Sequence, residues 1–143
     1  TAELLAPEGP LGALAPTPAQ LDDVAFGWPI AKALGALDIG QTLVVRERTV
    51  LAVEAIEGTD EAIRRGAALG RGPVSVLKVR KPSQDPRLDV PVIGPDTVAA
   101  LAAAGARLLA VEAGRTLVLE RAEVVARADA AGVCVLGVAG AGP

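Results

Sequence analysis

The sequence contains no histidine, no methionine and no tyrosine, and it has one cysteine, one tryptophan and one phenylalanine among 143 residues. Without histidine, a Ser-His-Asp triad, a Cys-His pair and a histidine metal site are excluded within this chain. The single Cys134 can form neither an internal disulfide bond nor a multi-cysteine zinc site, and its apolar neighbours predict a small core residue. Hydrolysis would therefore depend on carboxylates, lysine, arginine and a hard metal ion, for which Mg²⁺ is the leading candidate.

Long apolar runs are also missing. No stretch approaches the ~18 residues that cross a bilayer, and the first residues lack the basic start and apolar run of a signal peptide, so that we expect a soluble chain. The net charge of −3 and the scarcity of aromatic rings argue against nucleic-acid binding. There is no initiator methionine, which is expected of a processed chain or of a fragment of a longer one.

Hydrophobic residues make up 51% of the chain, and alanine, valine, leucine and isoleucine must build the core because aromatic residues are so few. The length fits one domain. Residues 1–16 contain three prolines and two glycines, which predicts an interdomain linker or a disordered N-terminal segment before a domain at residues 17–143.

Helical and strand-like patterns alternate after residue 17. Thr17 is the predicted N-cap of a helix that Gly27 and Pro29 should break or kink, and Thr59 is the predicted cap of a second helix. The remaining elements are a hairpin at 41–47 and 50–56, helices at 59–69, 95–104 and 121–131, a short extended piece at 90–93, and strands at 74–79, 107–112, 116–119 and 133–138. We expect an α/β layered sandwich, with a mixed β-sheet flanked by helices.

The most informative segment is the charged loop at residues 78–91, which contains six ionisable side chains and three prolines. Proline fixes φ and removes a backbone donor, so that this pattern predicts a stiff extended loop. Lys78, Lys81 and Arg87 can hold phosphate oxygens, and Asp85 can bind a metal ion or orient water. An ordinary solvated loop would have the same composition.

Two glycine turns present further polar side chains. In Glu57-Gly-Thr-Asp60 the turn runs directly into a helix, whose free N–H groups attract anions, and Gly58 allows close approach to the backbone. Asp60 would recruit the cation that accompanies a phosphate, although an ordinary helix cap explains the same residues. Asp38 and Gln41 beside another glycine suit a ligand contact, and an Asx-type turn explains them nearly as well.

One short sequence occurs twice. Leu51-Ala-Val-Glu-Ala55 recurs as Leu109-Ala-Val-Glu-Ala113, and each copy is a strand that ends in a carboxylate, Glu54 or Glu112. Because ligands of open α/β sheets gather at strand ends, the two carboxylates could point into one crevice. Coincidence in a chain rich in Ala, Leu and Val is the alternative.

Taken in order, these segments resemble the LpxI-type UDP-2,3-diacylglucosamine pyrophosphatases. The resemblance covers about residues 20–140 and only the C-terminal domain of that family, whose Rossmann-like N-terminal domain is absent here. Leu88 stands where many relatives are expected to have an aromatic residue. The matching stretches are Asp38-Ile-Gly-Gln-Thr42, Leu51-Ala-Val-Glu-Ala-Ile-Glu-Gly-Thr-Asp60, Lys78 through Lys81-Pro-Ser-Gln-Asp85, residues 87–97, and Val111-Glu-Ala-Gly114.

The resemblance implies a Mg²⁺-dependent hydrolysis in lipid A biosynthesis, in which UDP-2,3-diacylglucosamine gives UMP and 2,3-diacylglucosamine 1-phosphate (lipid X). It implies that Asp85 is the key acid. With the residue patterns, it assigns catalysis to Asp85, Gln84, Lys81 and Arg87. It assigns substrate binding to Asp38, Gln41, Gly58, Thr59, Lys78 and Glu112. It assigns metal binding to Asp85, Asp60, Glu57 and Glu54.

Two other functions fit the same residues. The domain could bind a nucleotide-sugar or a lipid phosphate without hydrolysing it, or it could serve a structural role in dimerisation. For the enzyme we expect a nucleotide-sugar lipid as substrate, a homodimer of the full-length protein, and a cytoplasmic location with peripheral contact with the inner membrane.

Overall fold

A computed structural model of the chain places a mixed β-sheet between helices on both faces, and it describes residues 4–82 and 90–143. The helices are α1 (Pro18–Ala36), α2 (Thr59–Gly70), α3 (Pro95–Ala104) and α4 (Arg121–Ala131). The strands are β1 (Gly9–Pro10), β2 (Thr42–Arg46), β3 (Thr49–Val53), β4 (Val74–Lys78), β5 (Val92–Ile93), β6 (Ala106–Glu112), β7 (Leu117–Val118) and β8 (Cys134–Val138). The predicted α/β layered architecture with a mixed sheet is confirmed.

Strand direction determines which loops meet. The main sheet has the order β1-β8-β6-β4-β2-β3, with β4, β6 and β8 parallel and β2 antiparallel to both of its neighbours. It follows that β3, β4, β6 and β8 all end at one edge, where β2 begins. We call this the carboxyl edge. β5 and β7 pair with each other in a separate parallel sheet, so that the two strands predicted around residues 113–114 do not pair together.

Alternation along the strands divides the core between the two faces of the sheet. Helices α2, α3 and α4 cover one face, on which Val44, Val76 and Val111 are buried, and α1 covers the other, on which Leu43 and Leu77 are buried. Each such side chain contributes about 1.5–3 kcal/mol on burial. Cys134 is a buried core residue, as predicted; it lies in the α1 layer, and burial raises the pKa of its thiol.

Helix α1 is continuous, and the predicted break at Gly27 and Pro29 is wrong. Trp28 is buried on the sheet next to Pro29, and its Nε1 donates a hydrogen bond to the Gly140 carbonyl at 3.0 Å. A proline inside a helix removes one backbone hydrogen bond. Packing of the buried face compensates for that loss, so the helix persists through the proline.

Helix α2 begins at its predicted residue, but its N-cap is Gly58 at φ 94° and not Thr59. The Thr59 side chain instead bonds to Thr42 on β2, as described below. Helices α3 and α4 begin and end at the predicted residues. Within the described part of the chain, no helix combines the length and the apolar character that a membrane span requires.

The segment before α1 contacts the domain. The amide of Ala6 donates to Thr116 O at 2.8 Å, the amide of Leu11 donates to Val135 O at 2.9 Å, and β1 pairs with β8. Residues 5–11 are therefore part of the folded unit, and the predicted disorder does not apply to them. A role of residues 1–16 as an interdomain linker stays a prediction.

Candidate functional site

The carboxyl edge gathers buried polar side chains. Thr42, Glu54, Lys78 and Glu112 are each at most 9% exposed, although the strands that position them are otherwise almost wholly apolar inside. Burying a charged or polar group costs free energy unless it is paired or hydrogen-bonded. Four such positions at one edge of one sheet mark this edge as the candidate site.

On the face covered by α2, three of these side chains lie together with two residues of the first turn of α2. We call this group the edge cluster: Thr42, Glu54, Thr59, Asp60 and Lys78. Burial lowers the pKa of Lys78, and the negative charges of Glu54 and Asp60 act in the opposite direction. The Lys78 ammonium donates to Val92 O at 3.2 Å. The Thr42 and Thr59 hydroxyl oxygens lie 3.2 Å apart, and Thr59 donates to Glu54 at 3.5 Å. The cluster thus holds a cation among oxygen atoms.

The first turn of α2 borders the edge cluster. Among residues 4–82 and 90–143 no side chain caps this helix end, and N–H groups at the start of a helix attract anions, so binding of an anion here stays a prediction. Asp60 and Glu61 add negative charge to the same turn, and Glu61 is paired with Arg64. An anion would therefore bind most favourably in the company of a cation.

Glu57 is held within its own turn. One carboxylate oxygen accepts the amide of Ala55 at 2.8 Å, and the other accepts the Arg65 guanidinium at 2.6 Å. These contacts, with the backbone N–H groups of Ala55 and Glu57 first and Arg65 next, lower the pKa of Glu57 to about 2. To bind a metal ion as predicted, this carboxylate would have to exchange one of these partners.

The loop before β2 adjoins the same cluster. Asp38 lies 3.2 Å from the Lys81 ammonium, and Gly40 packs so tightly that a Cβ there would lie 1.9 Å from the Glu54 carbonyl oxygen. The backbone of Gln41 accepts the amide of Val79, while its Oε1 is buried and has no hydrogen-bond partner among the described residues. The predicted ligand contacts Asp38 and Gln41 are therefore both near the edge.

Glu112 lies at the same edge but on the opposite face. Its neighbour Val111 is in register with Lys78, so that strand alternation turns Glu112 toward α1. There one carboxylate oxygen contacts the Lys32 ammonium at 3.0 Å and the Arg80 amide at 2.8 Å. The expectation that Glu54 and Glu112 point into one crevice is wrong, because the sheet separates them.

Several predicted residues fall outside the described part of the chain. These are Gln84, Asp85 and Arg87, and their meeting with the edge cluster stays a prediction. Within residues 4–82 and 90–143, no group of three or more potential metal ligands is assembled. Glu54 and Asp60 nevertheless offer oxygen donors that suit Mg²⁺, so that a complete site would need a further ligand such as Asp85.

The sequence reasoning missed Thr42, Lys32 and Arg115. Thr42 begins an apolar strand and gives no signal of its own. Lys32 stands out only as the single cation of α1, a pattern that could have marked it. Arg115 follows a glycine turn and lines a pocket with Glu112, which only the fold brings together.

Two comparisons with known proteins bear on this site. The model of the LpxI C-terminal domain family matches residues 7–136 of the chain. A protein of Caulobacter vibrioides named UDP-2,3-diacylglucosamine pyrophosphatase LpxI is 45% identical over 144 residues, which cover 95% of this chain and 51% of that relative. The chain therefore spans about half the length of the curated relative that it matches.

Proposed function

Because the chain belongs to the LpxI C-terminal domain family, we propose that it is the C-terminal part of an enzyme that cleaves the pyrophosphate bond of UDP-2,3-diacylglucosamine. The products are UMP and 2,3-diacylglucosamine 1-phosphate. The observation that carries this proposal is the 45% identity to the Caulobacter pyrophosphatase over nearly the whole chain. The residues at the carboxyl edge support it, since they have the charges that a diphosphate requires.

The positive groups of the edge hold the diphosphate in this proposal. Lys78 is buried and anchored to the Val92 carbonyl, so its charge is fixed in place. Lys81 is only a quarter exposed and lies beside Asp38. The N–H groups at the start of α2 add a further anion contact. Positive groups that are fixed before the reaction stabilise the charge of a transition state without reorganising.

Mg²⁺ completes the proposal as the cofactor. Glu54, Asp60 and Asp85 would hold the ion, which when bound would withdraw charge from the diphosphate. Glu57 is a further candidate ligand, subject to release from its present partners. In this proposal Asp85 would also orient or deprotonate the attacking water, and Gln84 and Arg87 would assist in catalysis. This role is supported by the resemblance of the Gln84-Asp85 stretch to the family.

The test measures Mg²⁺-dependent UMP release from UDP-2,3-diacylglucosamine. The chain is assayed alone and fused to the part of the Caulobacter relative that it does not span. Asp85→Ala in the fusion should lower turnover by about 10²–10³, the typical cost of removing one electrostatic group from a catalytic site. Asp22→Ala, which removes an exposed carboxylate paired with Arg48, is the control and should leave turnover unchanged.

The same assay separates hydrolysis from binding alone. A fusion that binds the substrate and releases no UMP would contradict the proposal and favour a binding module. Near-normal turnover of Asp85→Ala would remove Asp85 from the mechanism. A cytoplasmic location, a homodimer of the full-length protein and contact with the membrane surface complete the proposal. The lipid-linked substrate supports the membrane contact, and the family resemblance supports the other two.

A further inference from the structure

A second polar pocket lies on the α1 side of the carboxyl edge, across the sheet from the edge cluster. Its volume is about 200 Å³, and it is lined by Lys32, Arg80, Pro82, Glu112 and Arg115. Three of these five side chains are cationic. The pocket is therefore a strongly basic cavity with one carboxylate at its base.

That carboxylate is only half satisfied. Glu112 is 1% exposed, and while its Oε1 contacts Lys32 and the Arg80 amide, its Oε2 is buried without a hydrogen-bond partner among the described residues. A buried acceptor left without a donor destabilises the folded protein, and more so when it is charged. Such a cost at a pocket wall is removed when a ligand supplies the donor.

The chemistry of the lining defines that ligand. A carboxylate oxygen accepts a hydrogen bond from a hydroxyl group, whereas the guanidinium of Arg115 at the exposed rim suits a phosphate. An anion alone would leave Glu112 Oε2 without a donor, and a sugar alone would make no use of the charge of the exposed Arg115. The lining therefore matches a group that presents a hydroxyl and a phosphate together.

We propose that the Glu112 pocket binds the sugar of a phosphorylated sugar or nucleoside, with Glu112 Oε2 accepting from a sugar hydroxyl and Arg115 holding the adjacent phosphate. The proposal rests on the proposed function for its choice of ligand. It places one end of the substrate and the phosphate attached to it on the α1 side of the sheet edge, while the other phosphate of the diphosphate lies toward the edge cluster on the α2 side. Ligands that bind across strand ends in this way are typical of α/β sheets.

Titration calorimetry of this chain tests the pocket directly. The probes are UMP, N-acetylglucosamine 1-phosphate and inorganic phosphate, so that the two sugar sources are compared with the anion they share. At least one sugar phosphate should bind more tightly than inorganic phosphate. Glu112→Gln should weaken the binding of that sugar phosphate by about tenfold or more. The binding of inorganic phosphate should be unchanged or tighter, because one negative charge is removed.

Two further variants guard against a merely structural effect. Gly140→Ala keeps every charge and places a methyl group 3.7 Å from Glu112 Oε2, so it should weaken the sugar phosphate while the melting temperature stays constant. Arg115→Ala should weaken the binding of all three probes. Glu123→Gln and Arg127→Ala, which alter an exposed ion pair on α4, are the matched controls and should change nothing.

If UMP is the tighter ligand, dUMP identifies the hydroxyl. Loss of the 2′-hydroxyl and the Glu112→Gln change should then not be additive, since both remove one hydrogen bond. Equal binding of the sugar phosphates by Glu112→Gln and the unaltered chain would overturn the proposal, as would the absence of binding by every probe. Both results are independent of UMP release, which tests the proposed function separately.

Discussion

Single residues at the carboxyl edge show how a largely aliphatic chain builds a polar site. Lys78 and Glu112 end strands whose other buried side chains, apart from Ser75, are aliphatic, so each brings a charge to the boundary of the core. Each charge is held by defined partners: the Lys78 ammonium donates to the Val92 carbonyl, and the Glu112 carboxylate accepts from Lys32. Charged side chains held in this way keep a fixed orientation, which a ligand with two phosphates can use.

Glu57 provides a test at this scale through pH. Its folded pKa of about 2 lies below the ordinary 4.5, so the unfolded chain takes up a proton first as the pH falls. The stabilising contribution is therefore complete above pH 4.5 and is lost as the pH falls toward about 2. Glu57→Gln should lower the urea midpoint at pH 7 and flatten its decline between pH 4.5 and 2, as followed by Trp28 fluorescence.

Glu8→Gln is the control for this measurement. Glu8 is exposed and forms no ion pair within the described residues. Glu8→Gln should therefore show the same dependence of the urea midpoint on pH as the unaltered chain. The pKa of Glu61 is also lowered, chiefly by Arg64. Glu61 therefore still contributes to the decline of the urea midpoint at low pH in both variants. A profile of Glu57→Gln that is as steep as that of the unaltered chain would contradict the role assigned to its two hydrogen bonds.

Much of the element structure follows from sequence, and the exceptions have physical causes. Helices α3 and α4 are bounded by proline, glycine and charge signals that act locally, so their ends are predicted correctly. The continuity of α1 through Pro29 depends on burial of Trp28, which is a tertiary contact. The pairing of β5 with β7 joins Val92 to Leu117, 25 positions apart in the sequence, and no local pattern encodes it.

The site was predictable to the same degree. Lys78 ends a strand, Glu54 follows one and Asp60 lies in the first turn of a helix, so their gathering at one edge could be inferred from the sequence. The side of the sheet on which Glu112 lies depends on the register of β6 against β4, which the repeated pentapeptide does not reveal. Asp85, Gln84 and Arg87 rest on the pattern of the charged loop and on the family resemblance, and they lie outside the described residues.

The seating of α2 on the sheet offers a prediction about an element. Gly66 faces Val44 so closely that an added Cβ would lie 2.6 Å from its side chain, and relief requires the helix to move away from β2. Gly66→Ala should therefore cost about 1–3 kcal/mol, the usual effect of overpacking, although alanine is the better helix former. Urea unfolding measures the change.

Gly35→Ala on α1 is the matched comparison. A Cβ at Gly35 would meet its nearest neighbour, the Arg80 carbonyl oxygen, at 3.5 Å, which is an ordinary contact. Helix propensity then decides the outcome, and the variant should be as stable as the original chain or more stable by about 0.5–1 kcal/mol. Equal effects of the two substitutions would show that α2 does not depend on close contact with β2.

At the scale of the whole molecule, the order of the strands leaves the outer side of β8 as a strand edge that must be covered. β8 is the last of the parallel strands, and β1 covers its outer side. An open strand edge is a template for association with another chain. The N-terminal segment thus has a function in the fold that is separate from any linker role.

Gly137 allows this protection to be tested without relying on truncation alone. A Cβ at Gly137 would lie 1.7 Å from the Pro7 carbonyl oxygen, so Gly137→Ala should displace the segment from β8. Deletion of residues 1–11 should do the same, and each change should lower the urea midpoint and produce self-association in sedimentation experiments. Combined, they should cost no more than the deletion alone, because both disrupt one contact. Additive losses would mean that Gly137→Ala acts within the core, and the protective role of β1 would be wrong.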